Sequence, residues 1–469
     1  MKIQLIQLKY KCNDFQYNYE NIISQNINNE ADLIIFPEIE NSDNFEFDSN
    51  YNSAKDDFYR KICNYFSDKN LLIGTNFIKN GSLENVNNCS IDILNNKIYI
   101  SKNYDEDVEC DLYILAENKY YTMNSYSDFV ENIGNKHNFI HTNAIMLDEE
   151  NVYTGQSFVK NKNGNINSVY PFLEEFSSII DFSDTNNVVD YKKLNLMEEI
   201  FKVTTFAIKE YCENCGFKQV VLGLSGGIDS ALVATLAAYA IGKENVYAIM
   251  LPSKYSSEGS IKDAEKLVSN LGINVETIPI KSLFEIFMTD VAKESKMDLA
   301  EENLQSRLRA IILMFNSNRF NRLLLSTGNK SEVACGYGTL YGDMCGGFNP
   351  IADLTKTKVY ELSNWINRDK EVISKEIIEK EPSAELKPNQ KDSDSLPKYE
   401  LLDKIIVDYV ENQLSYEDLL NKYNKSELDK TLKLIHRAQF KRNQACLGVR
   451  LTDNAFCSNI KYPIMQKIY

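Results

Sequence analysis

Residues 221–231 read VLGLSGGIDSA, and their types and spacing suit the binding of a phosphate. The adjacent Gly226 and Gly227 let backbone approach an anion closely, and a helix over 231–240 (ALVATLAAYA) would turn its free amides toward it. Ser225 and Ser230 add hydroxyl donors, and Asp229 offers the hard oxygen that Mg²⁺ prefers. No Gly-Lys-Ser/Thr follows, so this is not a Walker A loop. On these residues alone, a tight strand-to-helix turn in any doubly wound sheet remains the other reading.

Four further blocks carry groups that packing alone does not require. ENLQSRLRA at 302–310 sets Asn303 and Arg307 one helical turn apart, with Arg309 offset. The strand RLLLS is followed by TGNKSE at 327–332. In a doubly wound sheet that position brings Thr327, Asn329, Lys330 and Glu332 out beside the phosphate loop, where Glu332 could share a metal with Asp229. Five glycines fall within 336–347, a density that suggests backbone wrapped around a ligand, with a linker as the alternative. Lys356 and the PSA segment at 382–384 complete a set of phosphate-capable groups.

The elements that must position these residues alternate. Strands are predicted over Met1–Leu8, Asp32–Phe36, Leu71–Phe77, Ser90–Leu94 and Tyr113–Ala116, with helices over 54–67 and 126–136. Asn163-Gly164 marks a hairpin within 152–172. After a polar stretch at 183–190 a helix leads into the strand–loop–helix unit, and strands follow over Val246–Leu251, Val275–Ile280 and Arg322–Ser326, a pattern that predicts a parallel, doubly wound sheet. Residues 381–400 read as a mobile loop.

A chain of 469 residues is too long for one ordinary core, so two domains are expected, and 43% apolar with 25% charged residues describes a soluble globular protein. The net charge of -16 argues against nucleic acid as a partner. No apolar run spans a membrane and MKIQLIQLKY is strand-like, so a cytoplasmic protein is expected. The ten cysteines show no framework. Cys212 and Cys215 form a CxxC without a second pair at metal spacing, which favours reduced structural thiols over zinc.

SGGIDS resembles the loop of N-type ATP pyrophosphatases. Together with ENLQSRLR, STGNKSE, GYGTLYGD, DLTKTKVY, PSAELKPNQ, DSLP and FKRNQACLG, in that order, it resembles the NAD synthetases, above all the large glutamine-dependent type, over residues 195–469. The resemblance implies 1–183 as a nitrilase-like α-β-β-α sandwich, 184–193 as a linker and 194–469 as a Rossmann-like synthetase domain. It implies that ATP is held by Gly223, Leu224, Ser225, Gly226, Gly227, Ile228, Asp229 and Ser230, with Thr327, Lys356 and Ser383. Asp229 and Glu332 would ligate Mg²⁺, while Asn303, Arg307, Glu332 and Lys441 would meet deamido-NAD. The implied reaction is adenylation of the deamido-NAD carboxylate, release of pyrophosphate, and displacement of AMP by ammonia, with no protein nucleophile. A homo-oligomer is implied as well. Ala445 and Cys446 stand where prolines are common in the family.

In that family the front domain releases ammonia from glutamine with a Glu–Lys–Cys triad. ADLIIFPE places Glu38 at the base position and Lys102 is the second member, but the nucleophile block of the form ICEDxW is missing. Residues 1–183 are also short for such a domain, as if a deletion had removed the nucleophile loop. Cys110 offers only a superficial ECDLY, and Cys89 is expected in the core. A degenerate glutaminase retained for assembly, with ammonia supplied free or by a partner, is the leading reading. A working triad through Cys110 is the second, and a silent ATP- or NAD-binding scaffold the third. Asparagine synthetase would need an N-terminal cysteine, whereas Lys2 follows Met1. GMP synthetase lacks the ENLQSRLR and GYGTLYGD blocks, and tRNA thiolation enzymes normally carry a basic surface.

Overall fold

Two different sheet architectures divide the chain, each following from its own apolar pattern. In the computed structural model the division falls between Met1–Leu194 and Asn195–Tyr469. The structure describes residues 1–39, 47–123, 125–134, 136–181, 193–292 and 298–465, so nearly all of the expected linker lies outside the described residues.

The front unit opens with β1 (Lys2–Gln7), α1 (Phe15–Ile23), β2 (Leu33–Phe36) and α2 (Ser49–Tyr65). Then come β3 (Leu71–Ile73), β4 (Asn76–Lys79), β5 (Ser82–Asn85), β6 (Cys89–Ile93), β7 (Asn96–Ser101) and β8 (Leu112–Leu115). After α3 (Ser125–Asn132) follow β9 (Asn138–His141), β10 (Ile145–Asp148), β11 (Asn151–Thr154), β12 (Phe158–Lys160), β13 (Ile166–Val169) and β14 (Phe176–Asp181). Hydrogen bonding makes two six-stranded sheets, ordered β14-β1-β2-β3-β4-β5 and β13-β12-β9-β8-β7-β6.

Strands buried on both faces read as unbroken apolar runs, and β2 and β8 do. Alternate residues serve opposite faces. Ile3, Leu5, Leu33 and Ile35 of one sheet share a core with Ile98, Ile100, Leu112 and Ile114 of the other. Ile34 and Phe36 pack instead with Phe15, Phe58 and Ile62 of α1 and α2, and Tyr113 and Leu115 with Tyr126 and Val130 of α3. The result is the expected α-β-β-α sandwich. The single strand expected over Leu71–Phe77 is a hairpin, β3–β4, because Gly74 turns the chain at φ +56°. The Asn163-Gly164 signal is a true hairpin turn joining β12 to β13, with Gly164 at φ +78°.

The rear unit runs α4 (Leu196–Asn214), β15 (Gln219–Gly223), α5 (Ile228–Ile241), β16 (Val246–Met250), α6 (Glu258–Leu271), β17 (Asn274–Thr277), α7 (Lys281–Phe287), α8 (Leu299–Phe320) and β18 (Arg322–Leu324). These strands form one parallel sheet ordered β17-β16-β15-β18. Because β18 returns on the far side of β15 from β16, a crevice opens at the carboxyl ends of β15 and β18, where such sheets bind ligands. α5 is apolar all round, and Ala231, Leu232, Val233, Ala234, Leu236 and Ala237 are all fully buried, which makes it a core helix.

Beyond the sheet lie α9 (Lys330–Cys335), α10 (Lys356–Ile366), α11 (Lys375–Glu379), α12 (Tyr399–Ile406), α13 (Tyr416–Lys422), α14 (Lys425–Arg437) and α15 (Gln439–Arg442). Ala334 of α9, Leu402 and Ile406 of α12, and Leu432 and Ile435 of α14 share a second core. Among the described residues no helix is long and apolar enough to cross a membrane.

Candidate active site

β15 delivers the chain into a turn that only glycine can make. Gly226 has φ +78°, and a Cβ there would stand 2.1 Å from the Ser260 carbonyl oxygen. The Ser225 hydroxyl accepts the Gly227 amide at 3.2 Å and lies 3.1 Å from the Ser230 hydroxyl, which donates to the Gly227 carbonyl at 3.0 Å. Gly227 caps α5 and brings no side-chain acceptor to the first amides of the helix. The positive end of a core helix therefore faces the crevice, an arrangement that suits an anion.

A cavity of about 460 Å³ occupies that crevice. Gly223, Leu224, Ser225, Gly227, Ile228, Asp229 and Ser230 line it, as do Asn303, Thr327, Glu332, Lys356, Ser383 and Lys441. Gly226 lies outside the lining, turned against Ser260. Arg307 is also outside, its Nε donating to the Leu340 carbonyl at 3.2 Å, on the helix face that exposes Ile311 and Met314. Its neighbour Arg309 lines the cavity instead and donates to the Leu251 carbonyl at 3.0 Å.

Three charged groups meet at the cavity floor. Asp229 accepts the Asn329 side-chain amide at 2.9 Å through Oδ1, and the Lys356 ammonium through Oδ2. Glu332 Oε1 lies 3.7 Å from the same ammonium, and its Oε2 accepts the Asn329 amide at 3.2 Å. Asn329 and Glu332 form the capping box of α9, so the cap fixes the orientation of Glu332. Burial, then the charge of Asp229, push the Glu332 carboxyl up to about 8, against the pull of Lys356. Burial alone would lower Lys356, but Asp229 and Glu332 together raise it.

This donor set fits Mg²⁺ in one particular way. Among the described residues no group of three or more His, Cys, Asp or Glu could hold a metal ion. Two carboxylates beside a helix N-terminus match a cation completed by substrate phosphates and water.

Other expected residues have settled tasks. Lys441 donates to the Gly336 and Gly338 carbonyls at 2.7 and 2.6 Å, tying down the glycine-rich loop. Of that loop, Gly336, Gly338 and Gly342 line the cavity, while Gly346 and Gly347 are needed for close packing against Ser326 and Leu323. Ser383 donates to the Gln390 carbonyl at 2.6 Å, and Asn303 accepts from Thr339 at 2.8 Å. Lys330, expected beside the phosphate loop, is fully buried and paired with Asp353 at 2.8 Å and Glu411 at 2.7 Å.

Sequence reasoning missed Lys380, Glu385 and Asp392 in the lining. Glu385, at φ +48°, accepts the Ser257 and Ser260 hydroxyls at 2.9 and 2.6 Å. Only proximity to the PSA segment could have flagged Lys380 and Glu385.

In the front unit, Glu38 beyond β2 is buried and its carboxylate lies 3.0 Å from the Lys102 ammonium beyond β7. Gly74 makes room for it, since a Cβ there would stand 2.3 Å from Glu38 Oε2. The parallel register of β7 and β8 pairs Ser101 with Leu115, and the Ala116 amide donates to the Ser101 carbonyl at 2.9 Å. Ala116 thus follows the last paired residue of β8 as Lys102 follows that of β7, and the charge of Lys102 acts on the next residue, Glu117. Cys110 precedes the opposite end of β8, roughly 20 Å of extended chain from Ala116 at about 3.3 Å per residue. Its thiol is pushed up to about 11, chiefly by burial. Cys89, expected in the core, is exposed because β6 is an edge strand. Cys212 is buried and Cys215 exposed, both as free thiols.

The NAD synthase family model matches residues 200–445, more than half of the chain. A glutamine-dependent NAD(+) synthetase of Synechocystis sp. is 42% identical over 339 residues, covering 70% of this chain and 61% of its own. Its counterpart in Aquifex aeolicus is 45% identical over 276 residues, 58% of this chain and 49% of its own. The chain thus spans about half to somewhat under two thirds of the length of these curated relatives. A glutamine-dependent NAD+ synthetase from Acinetobacter baumannii, solved in complex with ADP, superposes with a TM-score of 0.73 at 29% identity, covering 99% of this chain and 98% of that one. One from Cytophaga hutchinsonii reaches 0.83 at 17% identity with the same coverage, a likeness of fold.

Proposed function

The chain belongs to the NAD synthase family, and from that premise we propose that it converts deamido-NAD to NAD at the expense of ATP, releasing AMP and pyrophosphate. The observation that carries this reading is the Asp229–Lys356–Glu332 cluster at the α5 N-terminus. The carboxylate of deamido-NAD attacks the α-phosphorus, pyrophosphate leaves, and ammonia then displaces AMP from the acyl adenylate. The serine hydroxyls and α5 amides of the phosphate loop take the negative charge that develops on the leaving pyrophosphate. Asp229 and Glu332 would hold Mg²⁺, which supplies charge neutralisation on the phosphates. Lys356 would meet the phosphates where Asp229 and Glu332 would hold the metal, and Thr327 and Ser383 offer hydroxyls along the same wall. Asn303, Arg309 and Lys441 serve the dinucleotide end, and the exposed face of Arg307, Ile311 and Met314 suits a second copy of the chain.

We further propose that the nitrogen donor is ammonia, free or delivered by a partner. A glutaminase needs a thiolate beside its base and its oxyanion-stabilising cation. The Ala116 amide is bonded to Ser101, the residue before Lys102, while Cys110 precedes the opposite end of β8 and its thiol is held protonated. Hydrolysis of glutamine remains the second reading, because the curated relatives are named glutamine-dependent. NAD formation from deamido-NAD and Mg-ATP, with ammonium or glutamine in parallel, decides between them. Turnover with ammonium alone is expected, and Ala116→Cys should bring measurable glutamate release from glutamine. Equal turnover with glutamine in the parent, lost in Cys110→Ala, would refute the ammonia reading. No NAD with either donor would leave a binding protein.

A further inference from the structure

Behind Lys356 and Glu332 stands α12, none of whose residues lines the cavity. Two of them, Tyr399 and Asp403, lie one turn apart on the face toward that pair. The Tyr399 ring centre is 5.3 Å from the Lys356 ammonium, and its hydroxyl donates to Asp392 at 2.9 Å. Asp403 is only 3% exposed. Its Oδ1 accepts the Ser331 hydroxyl at 2.5 Å and its Oδ2 the Thr357 amide at 2.8 Å. The Ser331 oxygen in turn accepts the Lys356 amide at 2.9 Å.

Ser331 precedes Glu332 directly, and Thr357 follows Lys356. One buried carboxylate is thus bonded to the chain neighbours of both charged groups on the cavity floor. A carboxylate out of water is costly unless its oxygens are satisfied. Here it sits at the N-terminus of α10, where the helix dipole favours negative charge, and it binds amides and hydroxyls that would otherwise be orphaned. Packing alone would be served more cheaply by an apolar residue, as at Leu402 and Ile406 on the same helix.

We propose that Asp403 is a positioning residue that locks α9 to α10 and so sets the distance between the Glu332 carboxylate and the Lys356 ammonium. The proposal rests on the nucleotide-site reading given above. Asp403 touches neither phosphate nor metal. It acts through Ser331 and Thr357, and its loss lets the two groups drift apart by fractions of an ångström, enough to cost about 10- to 100-fold in a reaction governed by positioning.

Full-length Asp403→Asn and Ser331→Ala test this. Asparagine keeps the shape but has one oxygen, so it cannot accept both the hydroxyl and the amide. With ammonium as donor, kcat of Asp403→Asn should fall about 10- to 100-fold while KM for deamido-NAD stays within about two-fold. Calorimetric titration with Mg-ADP should show weaker nucleotide binding in a protein whose circular dichroism is unchanged. The double variant should be no slower than Asp403→Asn alone, since both changes cut one chain of bonds. A folded Asp403→Asn with kcat and ADP affinity within about two-fold of the parent would overturn the proposal, as would a loss that merely tracks the unfolded fraction. If Asp403→Asn fails to fold, Ser331→Ala carries the test, and an unchanged kcat there overturns it too. A parent that makes no NAD at all would instead sink the underlying reading, and the ADP titration would still report on positioning.

Discussion

Both units set a lysine against a carboxylate beyond the carboxyl ends of strands, yet the two pairs stand in different company. In the rear unit Lys356 lies between Asp229 and Glu332, the α5 amides face the same cavity, and a second carboxylate, Asp403, braces the arrangement from behind. In the front unit Glu38, beyond β2, pairs with Lys102, beyond β7. On the proposed ammonia-dependent reading, the difference teaches that a charge pair alone is not a catalyst.

The comparison breaks first at Lys356. Its replacement in Lys356→Met leaves Asp229 and Glu332 facing each other without a counter-charge and removes a cation from the phosphate wall. NAD formation with ammonium should fall by about 100- to 1,000-fold, the usual cost of one preorganised donor at a developing charge. Gly226→Ala should do comparable harm, because the new methyl meets backbone held in the first turn of α6 and no side chain can swing aside. In contrast, Lys102→Met should leave the ammonium-dependent rate within about two-fold of the parent. Steady-state rates of the three variants side by side check this, and a large loss in Lys102→Met would end the claim that the front site is idle.

A smaller effect separates the sites by pH. The Glu332 carboxyl is raised from 4.5 to about 8, so the folded chain holds its proton more tightly than the unfolded chain does. Folding therefore takes up a proton between those values. The stability of the ligand-free protein should be fullest below pH 4.5 as far as this group is concerned. It should decline as pH rises toward 8 and level off above. Glu332→Gln should flatten that slope without abolishing it, since burial raises Asp343, Asp392 and Asp403 in the same direction. Thermal unfolding midpoints at pH 5, 6, 7 and 8 measure it, and parallel slopes in parent and variant would contradict a raised Glu332 carboxyl.

How much of this was legible in the sequence depended on whether a residue's task is local. The phosphate loop was readable because glycine, serine and aspartate act within one turn of chain, and the apolar runs of β2 and β8 were readable because burial on both faces leaves that pattern. Glu332 was readable as a residue emerging beside that loop, but its capping bond to Asn329 was not drawn from the same six letters. Arg307 and Arg309 are two positions apart on one helix, and the rotation that turns one into the cavity and the other away is set by the packing of α8 on the sheet. Lys330 was expected beside the phosphate loop, but its partners Asp353 and Glu411, far along the chain, hold it buried.

The smallest effect sharpens the comparison most, because it concerns two glycines in the same predicament. Gly74 at φ +56° and Gly226 at φ +78° both occupy left-handed backbone with no room for a Cβ. At Gly226 the obstacle is the Ser260 carbonyl, which belongs to a helix. At Gly74 it is the Glu38 carboxylate, the far end of a side chain that can rotate away once nothing requires it to stay beside Lys102. Gly74→Ala should therefore cost stability, about 1–3 kcal/mol from the backbone conformation, seen as a lower urea midpoint for the front unit. The rate of NAD formation with ammonium should remain within about two-fold of the parent at temperatures where the chain is folded. If the folded Gly74→Ala protein instead lost most of that rate, Glu38 would have to be in service, and the contrast between a working rear site and a disarmed front one would no longer stand.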